Sequence, residues 1–335
     1  MRLLLIMALL LCGSVLPGAL MQSTGAVTAS ADVTLTFAGD VHFEGAVKRH
    51  LSPHGLDSLK PLFAHDDFSM VNLETSIGNH GKPELKRYTF QTSPMAFQAL
   101  ANAGVDAVTM ANNHAVDYGQ LGLSDTLAGI SHSAIPVLGI GKNISSALTP
   151  LHLTIKGQNL SVFAFVGLDL EGATAFTWPA TKSRAGVAVW ANHKNLITGA
   201  VRREKSAGRT VIVFVHWGAE EHNCPTAQQT GVADDLVKAG AEVIVGAHPH
   251  VLEGVGRLHG ALVAYSLGNF VWYSHAGVPT GVLRVTLRAG RVISYRIDPA
   301  TYGPDGIAHL ATGSTKRAIA NIVKSRTACT NLKNS

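Results

Sequence analysis

Val243-Ile244-Val245-Gly246-Ala247-His248-Pro249-His250 is an apolar, β-branched run that passes through glycine into two histidines separated by a proline. Its first half has the composition of a short buried strand. Its second half leaves the ladder, because Pro249 has no backbone donor to give it. Six further runs share the strand character: Val33 to Ala38, Phe68 to Val71, Ala107 to Met110, Leu160 to Val166, Val211 to Val215 and Ala261 to Ser266. Between them, 94–103, 119–130, 194–207 and 226–239 have the length and periodicity of amphipathic helices, with Gly104, Gly208 and Gly240 as stops. Strands alternating with helices predict an α/β layered fold. Val282 to Leu287 and Val292 to Ile297, flanking 288–291, predict a closing hairpin.

Working outward from that stretch, a polar cluster follows each of five strands. These are Gly39-Asp40-Val41-His42, Asn72-Leu73-Glu74, Asn112-Asn113-His114, His216-Trp217-Gly218 and Gly246-Ala247-His248-Pro249-His250. Open α/β sheets bind ligands beyond the carboxyl ends of their strands, so the five clusters are expected to meet in one crevice. Asp40 and His42, two apart, project to the same side of an extended segment, and His248 and His250 are expected to repeat that geometry with Pro249 holding the chain extended. Glu74 adds a carboxylate able to bridge two cations, Asn113 an amide oxygen, and His216 another imidazole. Seven donors are too many for one transition metal and suit two. The mixture of carboxylate, imidazole and amide fits Mn, Fe or Zn better than Ca or Mg. Two such ions are a standard arrangement for in-line hydrolysis of phosphate esters, and His114 is left free to protonate the leaving oxygen.

Each cluster alone has a plainer reading. An Asp-x-His pair is common in loops, Asn112-Asn113 is a plausible helix cap, and His216 can be a packed strand end bonded to backbone. The same plain reading would have to hold five times, always after a strand.

The 335 residues are 46% hydrophobic and 15% charged, with 34 glycines, which excludes a disordered or collagenous chain and assures a sizeable core. A net charge of +5 is too weak to mark a nucleic-acid binder, and Arg202-Arg203-Glu204-Lys205 reads as a solvated helix face. Arg2, the apolar run Leu3 to Leu11 and Ala29-Ser30-Ala31 predict an export signal over 1–31, with a retained N-terminal anchor as the alternative. Export places Cys224 and Cys329 in an oxidising compartment, where one disulfide between them is open.

Gly39-Asp40, Asn72-Leu73-Glu74-Thr75, the segment 111–119, His216-Trp217-Gly218, the segment 245–250 and the segment 265–270 together resemble the signature series of the bacterial capsule-synthesis CapA family. That family is named for poly-γ-glutamate capsule production and belongs to the calcineurin-like metallophosphoesterase superfamily. The match runs in order from Val33 to Trp272. The resemblance implies a four-layer α/β/β/α sandwich with a di-metal centre at one edge, occupying 32–300 and followed by a C-terminal extension, 301–335. It implies that Asp40, His42 and His250 hold one ion and that Asn113, His216 and His248 hold the other. Glu74 takes the bridging place that the superfamily gives to aspartate. It also implies that His114 faces the scissile group, with Asp117 orienting its imidazole.

The expected function is that of an exported protein, periplasmic or at the cell surface, acting in extracellular polymer production. One reading is a metal-dependent phosphoesterase whose substrate is an anionic polymer or a phosphate ester. The other is a non-catalytic metal-binding accessory of a membrane-bound polymer synthesis machinery. Neither involves nucleic acid.

Overall fold

The computed structural model describes residues 31–169, 174–273 and 276–333. The expected export signal lies outside the described residues apart from Ala31. Two large sheets carry the fold. The first has the spatial order Ala308–Leu310, Arg291–Tyr302, Pro279–Arg288, Val33–Val41, Phe68–Leu73, Ala107–Thr109, Val137–Leu138, with Asn269–Val271 added beside the end of Val33–Val41. Its Val33–Val41 half is parallel toward Val137–Leu138 and antiparallel toward the hairpin. The second sheet runs Val255–Leu258, Ala261–Ala264, Ala241–Ala247, Thr210–His216, Gln158–Val166, Leu151–Ile155. It is parallel in the middle and antiparallel at both edges.

Alternation along the strands sorts the side chains into layers. Val162, Ala164, Ile212, Phe214, Val243 and Val245 point toward the first sheet, and the rings of Phe37 and Phe214 meet across the gap at 6.5 Å. Their neighbours Phe163, Phe165, Val211, Val213, Val215 and Ile244 point the other way, onto Ile197, Val201, Val232 and Leu236 of the helices Trp190–Ser206 and Ala227–Ala239. A fully buried side chain of this size contributes roughly 1.5–3 kcal/mol. The helices Met95–Asn102 and Gly119–Ile130 are the crossovers between parallel strands of the first sheet. With one face of that sheet taken by the second, they cover the other. The result is a mixed α/β fold in which helices enclose two facing sheets.

Local chemistry accounts for the element ends. Thr226 and Gln229 form a reciprocal capping box at the start of Ala227–Ala239, and Gly240, at φ 111°, ends that helix in the left-handed region. The hairpin turns tightly through Ala289 and Gly290, both at positive φ. The helix expected from Lys194 begins earlier, at Trp190, with His193 at non-helical angles marking a kink. The expected boundary after residue 300 falls inside the strand Arg291–Tyr302. The segment beyond it adds Ala308–Leu310 to the first sheet and the helix Gly313–Thr327, whose Ile319 is buried.

Cys224 and Cys329 are joined, closing 105 residues of chain. Tyr265 Oη donates to Asn331 Oδ1 nearby at 2.7 Å. Among the described residues no helix is long and apolar enough to cross a membrane.

Candidate metal centre

Both sheets deliver the carboxyl ends of their parallel strands to one edge. Asp40 lies near the end of Val33–Val41, Asn72 and Glu74 at the end of Phe68–Leu73, and Asn113 and His114 just beyond Ala107–Thr109. His216 is the last residue of Thr210–His216, and His248 and His250 follow Ala241–Ala247. A close backbone approach fixes the junction. A Cβ on Gly39 would stand 1.6 Å from the Gly268 carbonyl oxygen, and that same oxygen accepts from Asp40 N at 3.0 Å. Asp40 is thereby registered opposite Asn269.

Among the described residues two groups of three donors form, each with its atoms within 4.8 Å of one another: Glu74 with His248 and His250, and Asp40 with Glu74 and His216. Glu74 belongs to both, in keeping with a bridging place. The grouping differs from the partition that the resemblance implies, in which Asp40 goes with His250 and His216 with His248. Asp40 is nonetheless also 3.3 Å from His250 Nδ1. Asn113 joins through its side-chain oxygen, 2.6 Å from His216 Nε2. Asp40 Oδ1 accepts from Asn72 Nδ2 at 2.7 Å and Oδ2 from His248 N at 3.2 Å. Asn72 also reaches Glu74 Oε2 at 3.3 Å and accepts from Asn112 Nδ2 at 3.0 Å, so one amide orients both carboxylates.

The His-Pro-His segment is not extended, contrary to expectation. His248 and His250 both have positive φ, 98° and 58°. Such angles are uncommon outside glycine and cost of order 1–3 kcal/mol each. They turn the two rings toward one space, 5.7 Å apart, from adjacent bends.

The electrostatics ask for a cation. Burial, and then the neighbouring Asp40 carboxylate, raise the pKa of Glu74 well above the ordinary carboxyl value. Burial, reinforced by neighbouring imidazoles, pushes His216 and His248 well below the usual histidine value, so both stay neutral and ligand-competent. Burial alone would also lower His250, but Glu74 and the Asp40 contact lift it to about 9. Among the described residues Glu74 Oε1, His42 Nε2 and His248 Nδ1 are buried with no hydrogen-bond partner. His42 Nε2 carries its ring's proton, since Nδ1 accepts, but the bare oxygen of the completely buried Glu74 carboxylate is costly unless a cation satisfies it. The donors present therefore fit divalent metal.

His42 stands at the flank of the centre, outside both groups of three. Its Nδ1 accepts from Glu44 N at 2.9 Å, and its ring stacks on Phe90 at 4.7 Å with Trp272 edge-on at 4.0 Å. His114 lies beside the centre. Its Nδ1 pairs with Asp117 Oδ2 at 2.6 Å, its Nε2 lies 3.7 Å from Glu74 Oε1, and its ring stacks on Phe90 at 4.1 Å. Burial pushes its pKa well below the usual value, with the Lys86 ammonium adding to the effect. Burial also raises Asp117 to about 7 against the pull of Lys86.

Three participants escape the sequence reading. Asn72 was visible only as part of its cluster, Phe90 carries no polar signal, and Lys86 sits in a segment without periodicity. Trp217 is fully buried, donating to the Tyr265 carbonyl, and so packs rather than lines a cleft. His114 and His250 line a cleft of about 450 Å³ together with Trp272, Tyr273 and the exposed Glu220, Glu221 and Arg87.

Facing sheets, a buried carboxylate common to two donor groups and a carboxylate-paired histidine beside it define a mixed α/β protein with a candidate metal centre at one sheet edge. Residues 34–274 match the family described as bacterial capsule synthesis protein PGA_cap, and the chain belongs to that family. It is 30% identical over 253 residues to the PGA biosynthesis protein CapA of Bacillus subtilis (strain 168), covering 73% of this chain and 65% of that protein. It is 29% identical over 252 residues to the capsule biosynthesis protein CapA of Bacillus anthracis, covering 72% of this chain and 60% of that one. The chain thus spans less than two thirds of the length of these relatives. A crystal structure of a hypothetical protein from Thermus thermophilus shares the fold, with TM-score 0.52 and 16% identity over 81% of this chain and all of that one.

Proposed function

We propose that this chain is an exported, metal-dependent phosphoesterase acting in the production of an extracellular polymer of the poly-γ-glutamate capsule kind. Asp40, Glu74, Asn113, His216, His248 and His250 hold two divalent ions in this reading, with His42 beside them. One observation carries it. Glu74 Oε1 lies 3.5 Å from His216 Nε2 and 3.7 Å from His114 Nε2, so the shared carboxylate stands between a metal donor and a proton donor.

When bound, two divalent ions activate water and offset charge developing on phosphoryl oxygens. The chain's own residues do the rest. Asp117, its carboxyl pKa raised to about 7, supplies a proton to His114 Nδ1 as Nε2 gives its own to the leaving oxygen, so the pair ends as carboxylate and neutral imidazole. Phe90 and Trp272 keep the rings apart from bulk water. The donor mixture favours Mn, Fe or Zn. The Cys224–Cys329 bond supports an oxidising location, periplasmic or at the cell surface, reached through the signal over 1–31. The substrate class is an anionic polymer or phosphate ester, met beside a membrane-bound synthesis machinery.

A second reading, a non-catalytic accessory that keeps the metal site for binding, is favoured by the arm of Glu74, one methylene longer than the superfamily's aspartate. Metal analysis and an ester panel separate the two. Two equivalents of metal, with hydrolysis of an aryl phosphate falling roughly 10²–10⁴-fold in His114→Ala, support the enzyme. Tight metal without turnover on any ester supports the accessory. Asp40→Ala and His248→Ala are each expected to lower the metal stoichiometry; undiminished metal in both would remove the ligand assignment.

A further inference from the structure

Segment 84–90 runs over the surface, with Leu85 fully exposed and Tyr88 nearly half exposed. Lys86 turns inward between them, leaving 21% of its side chain in solvent. Its Nζ stands 2.5 Å from Asp117 Oδ1, donates to the Asn113 main-chain oxygen at 2.7 Å, and lies 3.2 Å from His114 Nδ1. The ammonium also sits over the Trp178 ring at 4.8 Å. The segment is pinned to the same loop at two more points, where Glu84 N donates to the Asp117 carbonyl at 2.8 Å and Phe90 N to Asp117 Oδ2 at 2.7 Å.

Asp117 is thus fully buried and divided by function. Oδ2 receives the His114 Nδ1 side and one backbone amide, and Oδ1 faces only the Lys86 ammonium. A buried carboxylate with one oxygen unmatched can rotate about its terminal torsion, which is broad and two-fold. A cation on that oxygen fixes the plane, and with it the direction in which the imidazole is held. Lys86 also grips the main chain of Asn113, the residue immediately before His114. It therefore constrains the histidine from both its side-chain partner and its backbone.

We propose that Lys86 is the positioning residue of the His114 proton donor, locking the Asp117 carboxylate and the Asn113 carbonyl so that His114 Nε2 faces the reacting oxygen. This assignment rests on the phosphoesterase reading for its catalytic consequence and on geometry for its structural one. Lys86 touches no donor atom of the metal centre, since it meets Asn113 through the main chain and leaves Oδ1 to His216.

The test compares wild type, Lys86→Met and Lys86→Arg. Metal content is expected to be equal in all three. Proton donation matters most when the leaving oxygen is basic. Lys86→Met is therefore expected to lose roughly 10²-fold in kcat on an alkyl phosphate and less than about tenfold on nitrophenyl phosphate, with KM steady on both. Lys86→Arg, which keeps the charge, is expected to recover most of the alkyl rate. Equal losses on the two esters would mark a merely structural role and overturn the proposal. NMR of isotope-labelled histidine supplies a readout that needs no turnover. The His114 Nδ1 proton shared with Asp117 is expected to be resolved in wild type and in Lys86→Arg and to be lost or broadened in Lys86→Met. An unchanged His114 signal in Lys86→Met refutes the positioning role whatever the kinetics. Wild-type protein that binds metal and hydrolyses neither ester removes the phosphoesterase reading, and the NMR comparison then decides the Lys86 assignment alone.

Discussion

Replacing Gly39 by alanine tests the close approach that sets Asp40 in place. Gly39 has no unusual φ, so alanine meets no conformational penalty there and the effect is steric. Its Cβ would lie 1.6 Å from the Gly268 oxygen, 2.8 Å from the Gly268 carbonyl carbon and 3.3 Å from that of Leu267, all of them backbone. Restoring ordinary contact at 3.4 Å demands a shift of about 1.8 Å. That breaks the Asp40 N to Gly268 O bond and moves Asp40 away from Asn269. Overpacking of this kind costs roughly 1–3 kcal/mol and the bond about 1 kcal/mol more, so 2–4 kcal/mol is the expected range. At roughly 2 cal/mol/K per residue over some 300 residues, that lowers Tm by about 3–6 °C. Metal stoichiometry is expected to fall as well, because donor distances tolerate only about 0.2 Å. Gly231→Ala is the control. It sits in the helix Ala227–Ala239 with nothing within 4 Å of its added Cβ, and is expected to stabilise by roughly 0.5–1 kcal/mol. A Gly39→Ala protein with wild-type Tm and full metal content would refute the argument that this backbone contact organises the centre.

Two further outcomes are expected. Cys224→Ser with Cys329→Ser opens a closure of 105 residues and should cost about 4–5 kcal/mol in chemical denaturation, an amount that dithiothreitol should reproduce in wild type; equal stability with and without reductant contradicts this. Burial raises the pKa of Glu253 from 4.5 to about 7, so the folded state holds a proton that the unfolded chain releases, and wild type should lose stability as pH rises from about 4.5 to 7. Glu253→Gln removes that slope, of order 3 kcal/mol in total, and an unaltered slope between the two proteins rejects the assignment.

Much of this architecture is legible in the chain because its strands are buried on both faces and so read as unbroken β-branched runs, and because Thr226, Gln229 and Gly240 announce their helix locally. The five polar clusters are legible for a related reason: each stands where an apolar run stops. What escapes is whatever depends on neighbours distant in sequence. The strand Asn269–Val271 exists because Gly39 lets it approach. The left-handed turns at His248 and His250 oppose local preference and are imposed by the surrounding site, where Asp40 receives His248 N and Asn269 receives the His250 ring. Lys86 lies among exposed polar residues and takes on meaning only once the chain folds over Asp117.

The cross-link has a consequence for how the molecule is completed. Cys224 lies three residues beyond Glu221, which lines the cleft, and its partner Cys329 follows the final helix. Only when 105 more residues have been synthesised can the bond form, so until then the loop bearing Glu220 and Glu221 lacks that tether.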